Sequence, residues 1–140
     1  MPEDIADKIR RYLSSGAFQK FLGIELVSCD AQAGAVEMRL PWKAEFERGP
    51  GTKQWHGGPM AALIDIVGDF ALIAMLGRAL PTINLRIDYL RPAIDTDLFA
   101  SARTLRAGKS VGFVDIELKD KTGRVVAVGR GAYSTLPPQP

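Results

Sequence analysis

The sequence predicts an α+β fold in which an antiparallel sheet of six strands wraps around one long apolar helix. Residues 60–76 are apolar on every side of a helix apart from Asp65 and Asp69, which is typical of a buried helix. Four segments with strand-like alternation follow this helix and two precede it, and short turns between successive strands favour antiparallel pairing. We expect one domain over residues 1–140, with no internal repeat.

The N-terminal part predicts a helix followed by a hairpin. Over residues 3–15, apolar side chains recur at every fourth position, at Ile5, Ile9 and Leu13. Gly16 is expected to end this N-terminal helix (1–16). Three apolar residues are expected to attach it to the core: Phe18, Phe21 and Leu22. Two strands, at 24–29 and 35–40, flank a turn at 30–34.

The loop at 41–55 is rich in glycine and proline and carries Trp42, Phe46 and Trp55. A connection of this length in a compact domain is usually functional or mobile. We expect its aromatic side chains to line a pocket or a subunit contact.

The C-terminal half predicts four strands, within 81–92, 98–106, 111–119 and 124–134, and a proline-rich, flexible tail at 136–140. In the first of them, strict alternation assigns one face to Ile83, Leu85, Ile87 and Tyr89 and the other to Thr82, Asn84, Arg86 and Asp88.

Composition excludes several functional classes. A net charge of +2 without a basic run argues against nucleic acid as a partner. One histidine and one cysteine are too few for a zinc site, and the lone Cys29 fits a reducing, cytoplasmic compartment. The acidic N-terminus lacks a signal-peptide pattern. Each aspartate would cost roughly 2.5–3.5 kcal/mol in the centre of a bilayer, so residues 60–76 are expected in the core and not in a membrane.

Two patterns resemble catalytic motifs but lie in the wrong structural context for them. Residues 108–112 match Gly-x-Ser-x-Gly, but a strand follows where a nucleophile elbow needs a helix. Asp65 and Asp69 share one side of the helix, whereas paired glycosidase carboxylates usually face each other across a cleft. We expect Asp69 to accept a hydrogen bond from loop backbone.

The segment His56-Gly57-Gly58-Pro59 carries the main functional signal. Pro59 is suited to the first helical position, and the glycines before it leave backbone N–H groups free at the positive end of the helix dipole. Such groups stabilise an oxyanion. Asp65, two turns further on, offers a base or nucleophile to the same carbonyl from another protomer or another part of the pocket. This pattern indicates acyl transfer or hydrolysis.

The His-Gly-Gly-x6-Asp motif of residues 56–65 resembles the signature of the PaaI-like hotdog acyl-CoA thioesterases, as do Thr82 and the segment Tyr89-Leu90-Arg91-Pro92. The resemblance runs from about residue 20 to the end of the domain. It implies a hotdog fold and hydrolysis of an acyl-CoA, and the loop aromatics suggest an aryl-CoA. Coenzyme A would be part of the substrate, and no cofactor is implied.

The resemblance also implies residue roles. The Gly57 N–H polarises the thioester carbonyl, Asp65 activates water or attacks directly, His56 shapes the turn or assists, and Thr82 holds the water or the acyl end. In the family the glycine and the acid come from different protomers, so a homodimer or homotetramer is expected. Further contacts to the substrate or coenzyme A are expected from Gly58, Asn84, Arg91, Lys109 and Ser110.

One departure from the family pattern leaves alternatives open. Many relatives carry Asn or Gln where this chain has Pro50, and Gln54 is a candidate substitute for orienting the water. An acyl-CoA-binding or sensing protein without turnover is one alternative. A hotdog hydratase is another, although such enzymes carry a histidine five residues after the aspartate, where this chain has Phe70.

Overall fold

A computed structural model describes residues 2–139. Met1 and Pro140, which belong to the predicted N-terminal segment and tail, lie outside the described residues. The helices are α1 (Ile5–Ser15), α2 (Ala17–Leu22) and α3 (Gly57–Leu76), with a short 3₁₀ turn at Ala44–Phe46. The strands are β1 (Glu25–Asp30), β2 (Ala35–Leu40), β3 (Thr82–Tyr89), β4 (Leu98–Ala107), β5 (Val111–Lys119) and β6 (Val125–Ser134).

The six strands form one sheet in the order β1-β2-β4-β5-β6-β3, and every neighbouring pair is antiparallel. The predicted fold class is therefore confirmed. Strands that are consecutive in the chain pair as the hairpins β1–β2, β4–β5 and β5–β6, whereas β3 pairs with β6 at one edge of the sheet. This order places β3, directly after α3, beside the last strand of the chain.

Helix α3 supplies the centre of the core. Leu63, Ile64, Val67 and Leu72 are fully buried, together with Ile116 and Leu118 of β5. The helix is long and apolar enough to cross a membrane, but it is the buried core helix, as the sequence predicted.

Burial on all sides of α3 was too strong an expectation. Ala62, Asp65, Ile66 and Asp69 are only half-buried, because the sheet covers the other sides of the helix and the N-terminal helices cover this one incompletely. The two aspartates therefore line a cleft instead of the core.

The N-terminal helix is confirmed, and its first turn is capped by the Asp4 carboxylate, which accepts from the Ala6 N–H. The expected attachment through Phe18 and Phe21 is wrong, since their side chains are 54% and 58% exposed. They lie on α2, a helix of six residues that buries only Leu22.

The aromatic residues of the 41–55 loop pack on each other. The rings of Phe46 and Trp55 stack at 5.1 Å, and Trp42 meets Trp55 edge-on at 5.4 Å. The Trp55 indole N–H donates to the Thr96 carbonyl over 2.8 Å. Trp55 and Phe46 are buried, so this cluster fixes the loop that leads into α3.

A bulge in β3 changes the predicted faces of that strand. Thr82 pairs with Tyr133 and Asn84 pairs with Ala132, so Ile83 is an extra residue without a partner. Thr82 therefore shares the helix-facing side with Tyr133, and Asn84 faces away from α3. Strict alternation placed Thr82 on the same face as Asn84; this grouping is wrong, and Ile83, grouped with Leu85, is 57% exposed.

Candidate functional site

The start of α3 presents a single free N–H in its first three residues. His56 is the N-cap, and its Nδ1 accepts from the Gly58 N–H over 2.8 Å. Pro59 has no N–H and lies at the third helical position, not at the first as predicted. No acceptor for the Gly57 N–H lies within residues 2–139. The expected pair of free glycine N–H groups is thus reduced to Gly57.

Gly57 opens onto a cleft of about 460 Å³. The Tyr89 hydroxyl donates to the Gly57 carbonyl over 2.7 Å, which fixes the first turn against the end of β3. Arg48, Gln54 and Arg91 also line the cleft. Arg91 was predicted from the sequence; Arg48 was not, because a lone arginine in an irregular loop gives no pattern to read.

Asp65 is held by two contacts from the sheet. The Thr82 hydroxyl donates to its Oδ1 over 2.7 Å, and the buried Tyr133 hydroxyl donates to its backbone carbonyl over 2.9 Å. The Tyr133 ring fits because Gly68 and Gly131 lack a Cβ, which would lie within 2.5 Å of the tyrosine side chain. Burial, together with the nearby carboxylates, raises the pKa of Tyr133, so the phenol stays a donor.

A second cleft, of about 530 Å³, lies beside Asp65 between α3 and the N-terminal helices. Its walls include Tyr12, Phe18 and Phe70, and the Tyr12 and Phe70 rings lie 6.4 Å apart. This cleft therefore combines an apolar aromatic wall with the Asp65 carboxylate.

Asp69 lines the same cleft one helical turn beyond Asp65. Its Oδ1 accepts from the Leu80 N–H over 3.3 Å, which confirms the predicted hydrogen bond to loop backbone. Burial raises the pKa of Asp69 to about 7; the Leu80 hydrogen bond opposes this shift and the Asp65 carboxylate adds to it.

Gly57 and Asp65 of one chain cannot serve one carbonyl together. Asp65 lies eight positions after Gly57 on α3, which corresponds to about 12 Å along the helix axis. Each opens onto its own cleft, one at the helix start and the other beside α1 and α2. A reacting carbonyl needs both groups within about 3 Å.

The remaining predicted contacts are dispersed. The Arg91 guanidinium donates to the Val125 carbonyl over 2.6 Å at the Gly57 cleft. Asn84 lies on the outer face of the sheet. Lys109 and Ser110 are exposed on the β4–β5 turn, where the Ser110 carbonyl accepts from the Thr135 N–H over 3.0 Å. One chain thus brings only Arg91 close to Gly57.

Two residues bear on the water-orienting position. Pro50 is exposed in the turn at residues 50–51, and the Glu47 carboxylate accepts from the Gly51 and Lys53 N–H groups inside this loop. Gln54 is half-buried at the Gly57 cleft.

Among residues 2–139, no group of three or more His, Cys, Asp or Glu could hold a metal ion.

A single long helix wrapped by six antiparallel strands in this order, with a free N–H at the helix start and a carboxylate two turns on, defines the hotdog class. The sequence model of the Thioesterase superfamily matches residues 53–127. Human acyl-coenzyme A thioesterase 13 is 31% identical over 135 residues, covering 93% of each chain. Acyl-coenzyme A thioesterase PaaI of Escherichia coli is 33% identical over 116 residues, covering 82% of this chain and 79% of PaaI.

Solved structures agree with the sequence comparisons. The structure of the E. coli PaaI protein superposes with a TM-score of 0.83 at 27% identity, covering 96% of this chain and 97% of that one. The chain belongs to the thioesterase superfamily, as a PaaI-like hotdog thioesterase, a thioester hydrolase. The family resemblance read from residues 56–65 is confirmed.

Proposed function

We propose that this chain hydrolyses acyl-CoA thioesters in a site shared by two protomers, with Gly57 from one and Asp65 from the other. The observation that carries the proposal is the separation of about 12 Å between these residues along α3 of one chain. A two-fold axis relating two chains can bring the Gly57 cleft of each against the Asp65 cleft of the other, which yields two equal sites. Relatives named acyl-coenzyme A thioesterase support the choice of substrate class.

Asp65 acts as the base or the nucleophile. As a base, it takes a proton from water while the oxygen attacks the thioester carbon. The carbonyl oxygen becomes an oxyanion on the Gly57 N–H, and the carbon–sulfur bond then breaks to release the acid and the CoA thiolate, which takes up a proton. As a nucleophile, the Asp65 carboxylate attacks the thioester carbon and the carbon–sulfur bond breaks to release the CoA thiolate, which takes up a proton; water then opens the anhydride, giving the acid and restoring Asp65. Neither route uses a cofactor.

The other site residues hold these two groups. His56 caps α3 and consumes the Gly58 N–H, so the oxyanion has one defined donor. Thr82 orients the Asp65 carboxylate through its 2.7 Å hydrogen bond. Gln54, in the Gly57 cleft, is suited to orient water in place of the amide that Pro50 replaces.

The phosphates of coenzyme A would bind to basic residues. Arg48 and Arg91 flank the Gly57 cleft and offer guanidinium groups to phosphates. Lys109, Ser110 and Asn84 remain proposed contacts, and they lie away from this cleft in the same chain, so only another protomer could bring them to it.

The acyl group would occupy the Asp65 cleft. Its walls of Tyr12, Phe18 and Phe70 favour an aromatic acyl group, so an aryl-CoA remains our proposed substrate. The sequence suggested the same class from Trp42, Phe46 and Trp55; these rings pack on one another, and Trp55 also lines the Gly57 cleft, not the Asp65 cleft. We further propose a homodimer or homotetramer in the cytoplasm.

A thiol-release assay over aromatic, short and medium acyl-CoAs tests the function. We expect turnover by the wild type and its loss in Asp65→Asn, with Asp88→Asn as a control on the outer face of the sheet. CoA binding without thiol release would favour the acyl-CoA-binding alternative. Hydration of an enoyl-CoA would favour the hydratase alternative. Phe70 argues against that alternative, because it occupies the position of the hydratase histidine.

Subunit mixing tests the shared site. Gly57→Pro removes the proposed donor while keeping a residue suited to the start of a helix. Neither Asp65→Asn nor Gly57→Pro should be active alone, but a hybrid dimer holds one intact site. Equal mixing after dissociation should therefore restore about a quarter of the wild-type activity. No recovery, although hybrids form, would refute the shared site, and a monomer in light scattering would do so too.

A further inference from the structure

Asp69 is a half-buried carboxyl group beside Asp65 that the proposed reaction does not use. It lies on the same side of α3 as Asp65, about 6 Å further along the axis, and both side chains line one cleft. Its hydrogen bond to the Leu80 N–H explains how it is held but does not require a carboxylate, because an amide oxygen would accept equally well. An ionisable group at this place therefore needs another reason.

The surroundings of Asp69 leave its charge uncompensated. The titratable side chains that face it are Asp65 on α3, Tyr12 on α1 and Tyr133 on β6. In the part of the chain that the structure describes, no lysine, arginine or histidine lines this cleft. The Tyr133 hydroxyl is directed to the Asp65 backbone carbonyl, and within residues 2–139 the Leu80 N–H is the one donor to Asp69. A negative charge on Asp69 is thus felt mainly by Asp65.

We propose that Asp69 is a positioning residue that acts through Asp65, and that its ionised form makes the Asp65 carboxylate a stronger base and nucleophile. A like charge at this distance disfavours the ionised form of a neighbouring carboxylate and so raises its affinity for a proton. Both proposed roles of Asp65, as base and as nucleophile, become faster with greater basicity. This inference rests on the proposed function, in which Asp65 reacts with water or the thioester.

The burial of Asp69 sets the pH at which this effect operates. Its pKa is raised to about 7 because the carboxyl group is largely removed from water. At pH 5.5 Asp69 is neutral, and Asp65 acts with its own basicity. At pH 8.5 Asp69 is charged, and Asp65 is activated. The rate constant kcat should therefore rise through an inflection near neutral pH.

The pH profile of kcat tests the inference with three variants. Asp69→Asn keeps the acceptor for Leu80 but cannot ionise, so the inflection should disappear and kcat should fall about three- to tenfold at pH 8.5 but less than about twofold at pH 5.5. Asp69→Glu restores an ionisable group and should restore an inflection. Asp88→Asn, on the outer face of the sheet, should keep the wild-type profile.

A carboxyl ¹³C titration of the substrate-free wild type gives a second reading that does not depend on any variant folding. The Asp65 resonance should respond to the ionisation of Asp69. No inflection in wild-type kcat, an inflection retained in Asp69→Asn, or an Asp65 resonance indifferent to Asp69 would overturn this inference alone. Full activity in Asp65→Asn would overturn the proposed function and this inference together.

Discussion

The hydroxyl group of Thr82 donates a hydrogen bond of 2.7 Å to the carboxylate of Asp65, and a bulge in β3 makes this contact possible. Without the extra residue Ile83, Thr82 would lie on the opposite face of the sheet from α3. The bulge is thus the local feature that joins the edge strand to the proposed catalytic carboxylate.

Replacing Thr82 should lower turnover without unfolding the protein. Thr82→Val removes the donor and leaves Asp65 free to rotate, so kcat should fall about tenfold, the effect of losing one hydrogen bond to a charged group. Thr82→Ser keeps the hydroxyl and should retain most of the activity. Steady-state thiol release measures both variants. Equal rates for Thr82→Val and the wild type would remove Thr82 from the site.

His56 is expected to act through the helix start and not as a base. His56→Ala removes the cap of α3 and should lower the free energy of unfolding by about 1 kcal/mol. It also removes the hydrogen bond that fixes the first turn of α3, so the Gly57 N–H is held less precisely and kcat should fall. His56→Asn restores a good N-cap and should recover most of both losses, as measured by denaturant unfolding and thiol release. Failure of His56→Asn to recover turnover would assign the imidazole a direct chemical role.

The relative placement of Gly57 and Asp65, the two groups of the proposed site, could be predicted from the sequence because both lie on one regular helix. The spacing of Gly57 and Asp65 along a helix is fixed by helix geometry, and the fold follows from strand periodicity around an apolar segment. The hydrogen bond of Asp69 to loop backbone was predictable because a carboxylate in an apolar helix needs a donor. These features depend on local pattern, which a single sequence contains.

The parts that could not be predicted depend on irregular backbone and on contacts between distant segments. The bulge that turns Thr82 toward α3 breaks strand alternation without a glycine or proline to signal it. Arg48 reaches the Gly57 cleft through an irregular loop. Only one glycine N–H is free because α3 begins at Gly57, with His56 as its cap. The sequence placed the helix start at Pro59, which is in fact the third helical residue.

Gly68 makes room for the tyrosine that supports Asp65, so a single methyl group there should be costly. The Cβ of Gly68→Ala would lie 2.2 Å from the Tyr133 hydroxyl oxygen, in a fully buried region. We expect a loss of about 2 kcal/mol or more in the free energy of unfolding, together with reduced turnover because Tyr133 must move away from Asp65. Gly49→Ala, whose Cβ would meet only an ordinary contact at 3.6 Å, is the matched control. Similar denaturation midpoints for the two variants would contradict the close packing.

Asp69 should make the stability of the protein fall as the pH rises toward neutrality. Its pKa is about 7 in the folded chain against an ordinary value of 3.8, because burial disfavours the charge. Below about pH 4 both states hold the proton. Between about pH 4 and 7 only the unfolded chain releases it, so the free energy of unfolding declines by on the order of 3 kcal/mol and then levels off. Asp69→Asn should abolish this decline and be more stable than the wild type at pH 8.

Urea unfolding from pH 4 to 8 checks this expectation as a difference between the variant and the wild type. Asp115→Asn is a control of opposite sign, because Arg130 lowers the pKa of Asp115 and its contribution is lost only as the pH falls below about 4. Its difference from the wild type should be flat between pH 5 and 8, whereas that of Asp69→Asn should grow steadily from pH 4 to 7. A flat difference for Asp69→Asn would mean that Asp69 is ionised at little cost in the folded protein. The activation of Asp65 by a neutral-pH ionisation would then lose its physical basis.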